Sequence, residues 1–186
     1  RYVASEKDPL YLHSLRNRFL RTPNVEVAPV DANDPASIAA AGREFDTVLA
    51  VNVLETVDDV EASMRAVAGS LESGGRLIAL VPQGPSLKGS LDETLGIRRR
   101  FRRENLAAIL AGAGFQVEEM ISLNRIGAAA WWLFGRVLRR RHINKITLKI
   151  FDKTVWLWRR IDGLLPWPGV SLVVVARKAE PPPARQ

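Results

Sequence analysis

The segment from Phe45 to Pro82 constrains the fold more than any other part of the sequence. An apolar run over residues 45–53 ends in polar residues, a helical stretch follows, and a glycine pair leads into a second apolar run that ends at Pro82. Two apolar runs of strand length joined by a helix predict neighbouring parallel strands of an α/β sheet. Ligands of open α/β sheets bind outside the carboxyl ends of the strands, so Asn52 and Glu55 fall where a site is expected.

The rest of the chain continues this alternation of strands and helices. Strands are predicted at residues 2–6, 25–30, 45–53, 76–81, 115–122 and 170–176, with helices at 9–20, 35–41, 58–71 and 102–113. Residues 82–96 are predicted to be an irregular loop. The aromatic and basic residues at about 125–167 predict a helical insertion before the last strand. We therefore expect one α/β domain over residues 1–178 and a flexible, proline-rich tail over 179–186.

Composition narrows the possible chemistry. The 186 residues include no cysteine and only two histidines, so disulfides and thiolate metal sites are excluded and no metal site is expected. The absence of cysteine fits a reducing compartment, and a cytoplasmic location is predicted. The longest apolar run, Ile126–Phe134, is too short to cross a membrane, which takes about 20 residues.

The charge is divided unevenly along the chain. Residues 1–96 hold 9 Lys/Arg against 14 Asp/Glu, a net charge of −5, whereas residues 97–186 hold 18 against 6, a net charge of +12. Such a basic half attracts phosphate-bearing partners or is simply a solvated surface. Nucleic acid is not expected, because no recognised binding module is present. The interleaved aromatic residues indicate either an acceptor pocket or a membrane-peripheral helix on anionic lipid; the candidate contacts are Arg99, Arg100, Arg139, Arg140, Arg141, Trp131 and Trp132.

The segment Phe45–Pro82 resembles class I S-adenosylmethionine-dependent methyltransferases, in which the pattern "FD.V...nvLEhv.D" precedes "L.pGGrl...vP". The matching residues are Phe45, Asp46, Val48, Asn52, Val53, Leu54, Glu55, Val57 and Asp59, followed by Leu71, Ser73, Gly74, Gly75, Arg76, Leu77, Val81 and Pro82. Thr56 stands where many relatives carry His. The resemblance implies a Rossmann-like sheet from the family's second strand onward, with an antiparallel last strand.

The same resemblance indicates what the sequence lacks. The family's first strand and the glycine-rich loop after it have no counterpart in residues 1–186. We expect the chain to be a fragment of a longer enzyme. A missing inner strand would leave the apolar face and hydrogen-bonding edge of its neighbour exposed.

The resemblance also implies a cofactor, S-adenosyl-L-methionine, and the residues that hold it. Glu6 at a strand end would accept from the cofactor ribose, Asp31 and Ala32 would contact the adenine, and Asn52 and Val53 would line the methionine end. The alternatives are a solvated acid at position 6, an Asx turn that begins at Asp31, and a turn-capping role for Asn52.

A second, weaker resemblance concerns the acceptor. Residues 90–101 are similar to a "D..lGH.RRY" segment of a methyltransferase subgroup often associated with glycosyltransferases, with Ile97 and Phe101 in place of the His and Tyr. It implies a small-molecule or glycan- or lipid-linked acceptor. The catalytic residue stays open, and the candidate bases are Glu55, Asp92, Glu93 and His142.

Other functions and the assembly also remain open. A non-catalytic scaffolding or membrane-docking domain is the alternative function, and a nucleotide-binding oxidoreductase fits the Asn52–Glu55 segment less well. The sequence leaves the oligomeric state undetermined.

Overall fold

The computed structural model describes residues 1–142 and 144–180, and within this part strands and helices alternate as predicted. The elements are β1 Tyr2–Glu6, α1 Pro9–Phe19, β2 Val25–Pro29, α2 Pro35–Ala40, β3 Phe45–Val51, α3 Val60–Ser70, β4 Leu71–Pro82, α4 Ser90–Thr94, α5 Arg103–Gly112, β5 Phe115–Leu123, α6 Arg125–Trp131, α7 Lys145–Ile161 and β6 Ser171–Lys178. A π-helical turn, Trp132–Val137, continues α6. Single 3-10 turns lie at Leu54–Thr56, Pro85–Leu87 and Asp162–Leu164.

Aspartate caps fix where three of the helices begin. The Asp8 carboxylate accepts from the amide of Leu10 at 2.8 Å, and Asp34 and Asp59 cap α2 and α3 in the same way. Pro9 and Pro35 occupy the first helical position, where a missing N–H costs nothing. Each of these caps lies in the polar loop that follows a strand, so the loops after β1, β2 and β3 end at defined helix starts.

The strands form two sheets in the described part of the chain. β1 pairs in parallel with β2, and the second sheet has the order β3-β4-β6-β5, with β3 and β4 parallel. β6 runs antiparallel to both of its neighbours, which confirms the predicted last strand. β3 is an edge strand of its sheet and exposes Leu49 (68%) and Val51 (48%).

The core lies on the faces of the two central strands. Alternate residues of β4 and β6 are fully buried, as expected for strands that face a core on one side. Leu106 and Leu110 of α5 and Met64 of α3 pack there, and Ile38 of α2 joins the same cluster. Burial of this apolar surface is the main stabilising term and holds the strand ends in place.

Two local predictions differ from the structure. β4 begins at Leu71 and not at Arg76, because the glycine pair forms an irregularity inside the strand, with a register shift opposite Phe45–Thr47. Gly74 has a φ of +74°, a conformation that favours glycine. The predicted loop 82–96 contains the short helix α4.

Helices fill the connection between β5 and β6. The Asp162 carboxylate accepts from the amide of Arg125 at 2.7 Å, and the Arg125 guanidinium donates to the carbonyls of Gly163 and Leu165, so the two ends of the connection are joined. No helix in residues 1–142 or 144–180 has the length and apolar character needed to cross a membrane. The predicted tail lies outside the described residues from position 181 onward.

Candidate active site

The predicted cofactor residues lie at one edge, where β1, β2 and β3 end. The Lys7 ammonium is 3.9 Å from the Asp31 carboxylate, which connects the ends of β1 and β2. The Asn33 side-chain oxygen accepts from the Asp58 amide at 2.8 Å, which connects the loops after β2 and β3. The two sheets therefore present their carboxyl ends to a common region.

Glu6 is oriented by the turn that follows β1. Its Oε1 accepts from the amides of Lys7 at 2.8 Å and Asp8 at 2.9 Å. The side chain is half-buried, not freely solvated. A carboxylate has about four lone-pair sites, so these two bonds leave capacity for further donors.

Asp31 begins the predicted Asx turn. Its Oδ1 accepts from the Asn33 amide at 2.9 Å. This hydrogen bond and the charge of Lys7 lower the pKa of Asp31 below its ordinary value, although burial acts in the opposite direction. The backbone amide of Asp31 donates to the Ser37 hydroxyl at 3.0 Å. Ala32 is half-buried and packs against the core. Asp31 is thus an ionised acceptor at neutral pH, as binding an amino group requires.

Asn52 adopts an unusual backbone conformation where β3 ends. Its φ is +53°, in the left-handed region, which asparagine adopts more readily than most residues other than glycine. Its amide continues the β3–β4 ladder by donating to Leu80 at 2.9 Å, and its side chain is exposed. This conformation fits a turn at the end of β3, which was the alternative role for Asn52. The next residue, Val53, is half-buried, and its carbonyl accepts from the Thr56 hydroxyl at 2.8 Å.

Glu55 is a buried acid in the turn that follows. It is 4% exposed, and its Oε2 has no hydrogen-bond partner in the described part of the chain. Burial raises the pKa of Glu55, opposed by a hydrogen bond from its own backbone and by the charge of Arg100. Its carboxylate therefore binds a proton more readily than an ordinary glutamate does.

Asp92, Arg100 and Trp131 form one buried network. Arg100 Nε donates to Asp92 Oδ1 at 2.6 Å, and Trp131 Nε1 donates to Asp92 Oδ2 at 3.0 Å. The guanidinium of Arg100 also lies 5.1 Å from the centre of the Trp131 ring and donates to the Gln83 carbonyl. Asp92 is 0% exposed and both of its oxygens are occupied. The network connects three elements: α4, the loop that precedes α5, and α6. It therefore gives a structural role to Asp92 and Arg100, which match the Asp and the second Arg of the "D..lGH.RRY" pattern.

The other candidate contacts lie nearer the surface. Arg99 donates to the Asp58 carbonyl at 3.0 Å, so it covers the loop after β3. The Arg140 carbonyl accepts from the Ser90 hydroxyl at 2.6 Å. The exposed candidates, which the structure does not gather around Glu55, are Glu93, Trp132, Arg139, Arg140, Arg141 and His142.

A cavity of about 460 Å³ opens where β4 and β5 end. Its lining comes from residues 83–86, 101–104 and 166–168, together with Ser122 and Arg125. The Ser122 hydroxyl donates to the Gln83 side chain at 2.6 Å and accepts from the Gly169 amide at 2.7 Å, which fixes the floor. The lining contains three arginines, Arg102, Arg103 and Arg125, and one acid, Glu104, so its net charge is positive. Sequence reasoning did not identify this cavity, although Gln83 directly follows a strand end.

Within residues 1–142 and 144–180 there is no cluster of three or more metal-ligating side chains. The structure thus offers three features: the predicted cofactor residues at the ends of β1 to β3, the buried acid Glu55, and the cationic cavity beyond β4.

Comparison with solved structures shows where this fold occurs. An S-adenosylmethionine-dependent methyltransferase from Mesorhizobium loti is 14% identical, with a TM-score of 0.63 over 95% of this chain and 80% of that one. The N-methyltransferase NodS from Bradyrhizobium japonicum, in complex with S-adenosylhomocysteine, is 13% identical, with a TM-score of 0.58 over 97% and 67%. The [4+2]-cyclase SpnF is 15% identical, with a TM-score of 0.59 over 96% and 67%. Identities this low establish the shared fold alone.

The family of the protein is established by comparison of its sequence, not of its structure. No curated protein matches the chain. Residues 7–120 match a family model described as a methyltransferase domain, and this stretch covers more than half of the chain and includes every predicted cofactor residue except Glu6. The protein therefore belongs to the methyltransferase domain family.

Proposed function

We propose that the protein transfers a methyl group from S-adenosyl-L-methionine to a hydroxyl or amine of its acceptor, with Glu55 taking the acceptor's proton. The observation that carries this proposal is the buried carboxylate at the end of β3, whose Oε2 has no partner in the described residues. A raised pKa makes it a stronger base than a solvated carboxylate. The family supports methyl transfer in general, and Glu55 is our assignment.

The strand-end residues have the chemistry that this cofactor needs. Glu6 and Asp31 are acceptors at the ends of paired strands, and they suit a ribose diol and an adenine amino group. The backbone at Asn52 and Val53 would hold the amino-acid end. When bound, the cofactor supplies an electrophilic methyl carbon, so the protein's tasks are to position the acceptor and remove its proton.

The cavity beyond β4 supports an acceptor that carries an anionic group. Its three arginines against one acid favour phosphate or carboxylate. Arg125 is already anchored through one amino group to two backbone carbonyls, so its guanidinium is held in a fixed orientation. A phosphorylated small molecule or a glycan linked to lipid through phosphate fits this lining, and the wall formed by Phe101 and Trp167 provides apolar contact.

The variant Glu55→Gln tests the proposal, with Glu93→Gln as its matched control. Loss of a general base lowers kcat by about 10²- to 10⁴-fold. Transfer of a labelled methyl group to a panel of phosphorylated sugars and lipid-linked glycans should fall by this amount for E55Q, while the exposed Glu93 variant keeps its rate. Calorimetry should show the same cofactor affinity for both variants. Full activity of E55Q would remove Glu55 from the chemistry.

A non-catalytic docking domain is a second candidate function. It is favoured by the exposed edge of β3 and by the apolar residues on the surface of the insertion. A folded native protein that binds neither S-adenosylmethionine nor S-adenosylhomocysteine in calorimetry would favour this second function over methyl transfer.

A further inference from the structure

Helix α7 is poorly covered by the rest of the protein. It spans Lys145–Ile161, about 25 Å at 1.5 Å per residue. None of its side chains that the structure describes is buried. Val155, Trp156 and Leu157 are 41%, 60% and 39% exposed. Val155 and Leu157 border the two sides of the apolar face of α7, so this face is in part exposed to solvent.

Apart from Trp156, whose ring lies 5.6 Å from the Arg160 guanidinium, the helix separates its apolar and basic residues. Phe151, Val155 and Trp158 follow one another at spacings of four and three, which places them on one face. Lys149 and Lys153, with Arg160 seven residues later, lie about 160–200° around the helix from Phe151, at 3.6 residues per turn. An apolar face opposite a Lys/Arg-rich face is the pattern of helices that lie in the plane of a membrane surface.

The charge of the protein is concentrated around this helix. Residues 132–164 hold nine Lys/Arg against two Asp/Glu, a net charge of +7 that equals the net charge of the whole chain. The remaining residues therefore sum to zero. Exposed apolar residues lie in the same segment, on the π-helical turn and beside it: Trp132, Leu133, Val137 and Leu138.

This combination favours anionic lipid over the other possible occupants. A second copy would bring one +7 segment against another, and like charges repel. A hydrophilic polyanion would neutralise the charge and leave Val155 and Leu157 in water. A bilayer offers negative headgroups and an apolar interior at the same boundary, where tryptophan is also favoured.

We propose that residues 132–164, here called the docking segment, bind the surface of an anionic lipid bilayer with α7 lying parallel to it. The apolar face of α7, with Phe151, Val155 and Trp158, enters the headgroup region, and the arginines and lysines contact lipid phosphates. This inference does not depend on the methyl-transfer activity.

Vesicle flotation tests it with the native protein. The protein should float with vesicles of phosphatidylcholine and phosphatidylserine and remain unbound with phosphatidylcholine alone. Three of the five tryptophans, Trp132, Trp156 and Trp158, lie in the docking segment, so tryptophan emission reports in part on this segment. Its emission should shift to the blue on binding. Added salt should weaken the binding, because the Debye length is about 10 Å at 0.1 M.

Two variants divide the interaction into its parts. Lys149→Glu, Lys153→Glu and Arg160→Glu together should weaken binding by at least about tenfold, since each basic residue near the surface contributes. Reversal of Arg16, Arg18 and Arg21, which changes the charge equally but outside the docking segment, should leave binding within about twofold. Val155→Ser with Leu157→Ser should keep the salt dependence but reduce the blue shift.

Three outcomes would overturn the proposal. The first is a wild-type protein that ignores anionic vesicles at low salt, a result that needs no variant to fold. The second is equal binding to neutral vesicles. The third is a loss of binding in the Arg16, Arg18 and Arg21 variant that equals the loss in the Lys149, Lys153 and Arg160 variant.

Discussion

Glu55 and Asp92 are two acids with similar burial and opposite environments. Asp92 is compensated by Arg100, Trp131 and a backbone amide, whereas Oε2 of Glu55 has no partner in the described residues. A paired buried charge is a structural element, and removing its partner is strongly destabilising. An unpaired buried carboxylate costs stability whenever it is ionised. This contrast is why Glu55, and not Asp92, is our candidate base.

The raised pKa of Glu55 predicts a pH-dependent stability. The folded state keeps the proton above the ordinary pKa of 4.5, where the unfolded state has lost it. Stability is therefore lost as pH rises from 4.5 through the folded-state pKa. Urea unfolding across this range should show that Glu55→Gln, which cannot ionise, gains stability relative to wild type toward neutral pH. A difference that is independent of pH would contradict the assignment, and Glu93→Gln is the exposed control.

Glu6 allows a separate test of cofactor binding. In the native protein, Glu6→Ala should weaken S-adenosylmethionine binding by about 1–3 kcal/mol, the cost of removing a charged hydrogen-bond partner. Because Oε1 also holds the amides of Lys7 and Asp8, Glu6→Gln is the better-matched variant, since it keeps a neutral acceptor in the turn. We expect calorimetry to show a smaller loss for Gln and an unchanged melting temperature. Unchanged affinity in both variants would remove Glu6 from the site.

At the scale of elements, the insertion is held against α4 by close backbone packing. A Cβ at Gly89 would lie 2.7 Å from the Gly135 carbonyl oxygen, and the Ser90 hydroxyl, which shares its proton between this oxygen and the Arg140 carbonyl, lies 2.9 Å from it. Gly89 has an extended φ of −165°, which any residue can adopt, so only the contact requires glycine.

Gly89→Ala should therefore destabilise the fold through overpacking. The expected loss is about 1–3 kcal/mol in the free energy of unfolding. Gly69 is the matched control, because it lies in α3 and a Cβ added there would have no atom within 4 Å. Gly69→Ala should gain about 0.5–1 kcal/mol. Denaturant unfolding measures both, and equal effects would show that steric contact at Gly89 is not what matters.

The elements that could be predicted from sequence are those with local causes. Asp8–Pro9 and Asp34–Pro35 mark helix starts because the cap and the proline act within one turn. The positions of Asn52 and Glu55 after β3 follow from the apolar run that ends there. The Asp92–Arg100–Trp131 network and the Gln83–Ser122 contact could not be predicted, because they depend on how distant segments pack. The start of β4 was missed because the glycines form an irregularity where a turn was expected.

At the scale of the whole molecule, two exposed apolar surfaces differ in their charge. The docking segment combines exposed apolar residues with the net charge of the chain, whereas the β3 edge exposes the apolar residues Leu49 and Val51 outside that segment. An exposed apolar edge strand is a template for pairing with another chain. The two surfaces therefore predict two different associations, one weakened by salt and one not.

The 186-residue chain should accordingly self-associate through β3. Leu49→Lys places a charge on the edge at an exposed position, so it should reduce association with little loss of stability. Leu20→Lys is the matched control, because Leu20 is 77% exposed but follows a helix and offers no strand edge. Light scattering over a concentration series should show less association for the Leu49 variant alone. Association that disappears with salt, or that both variants reduce equally, would assign it to a surface other than β3.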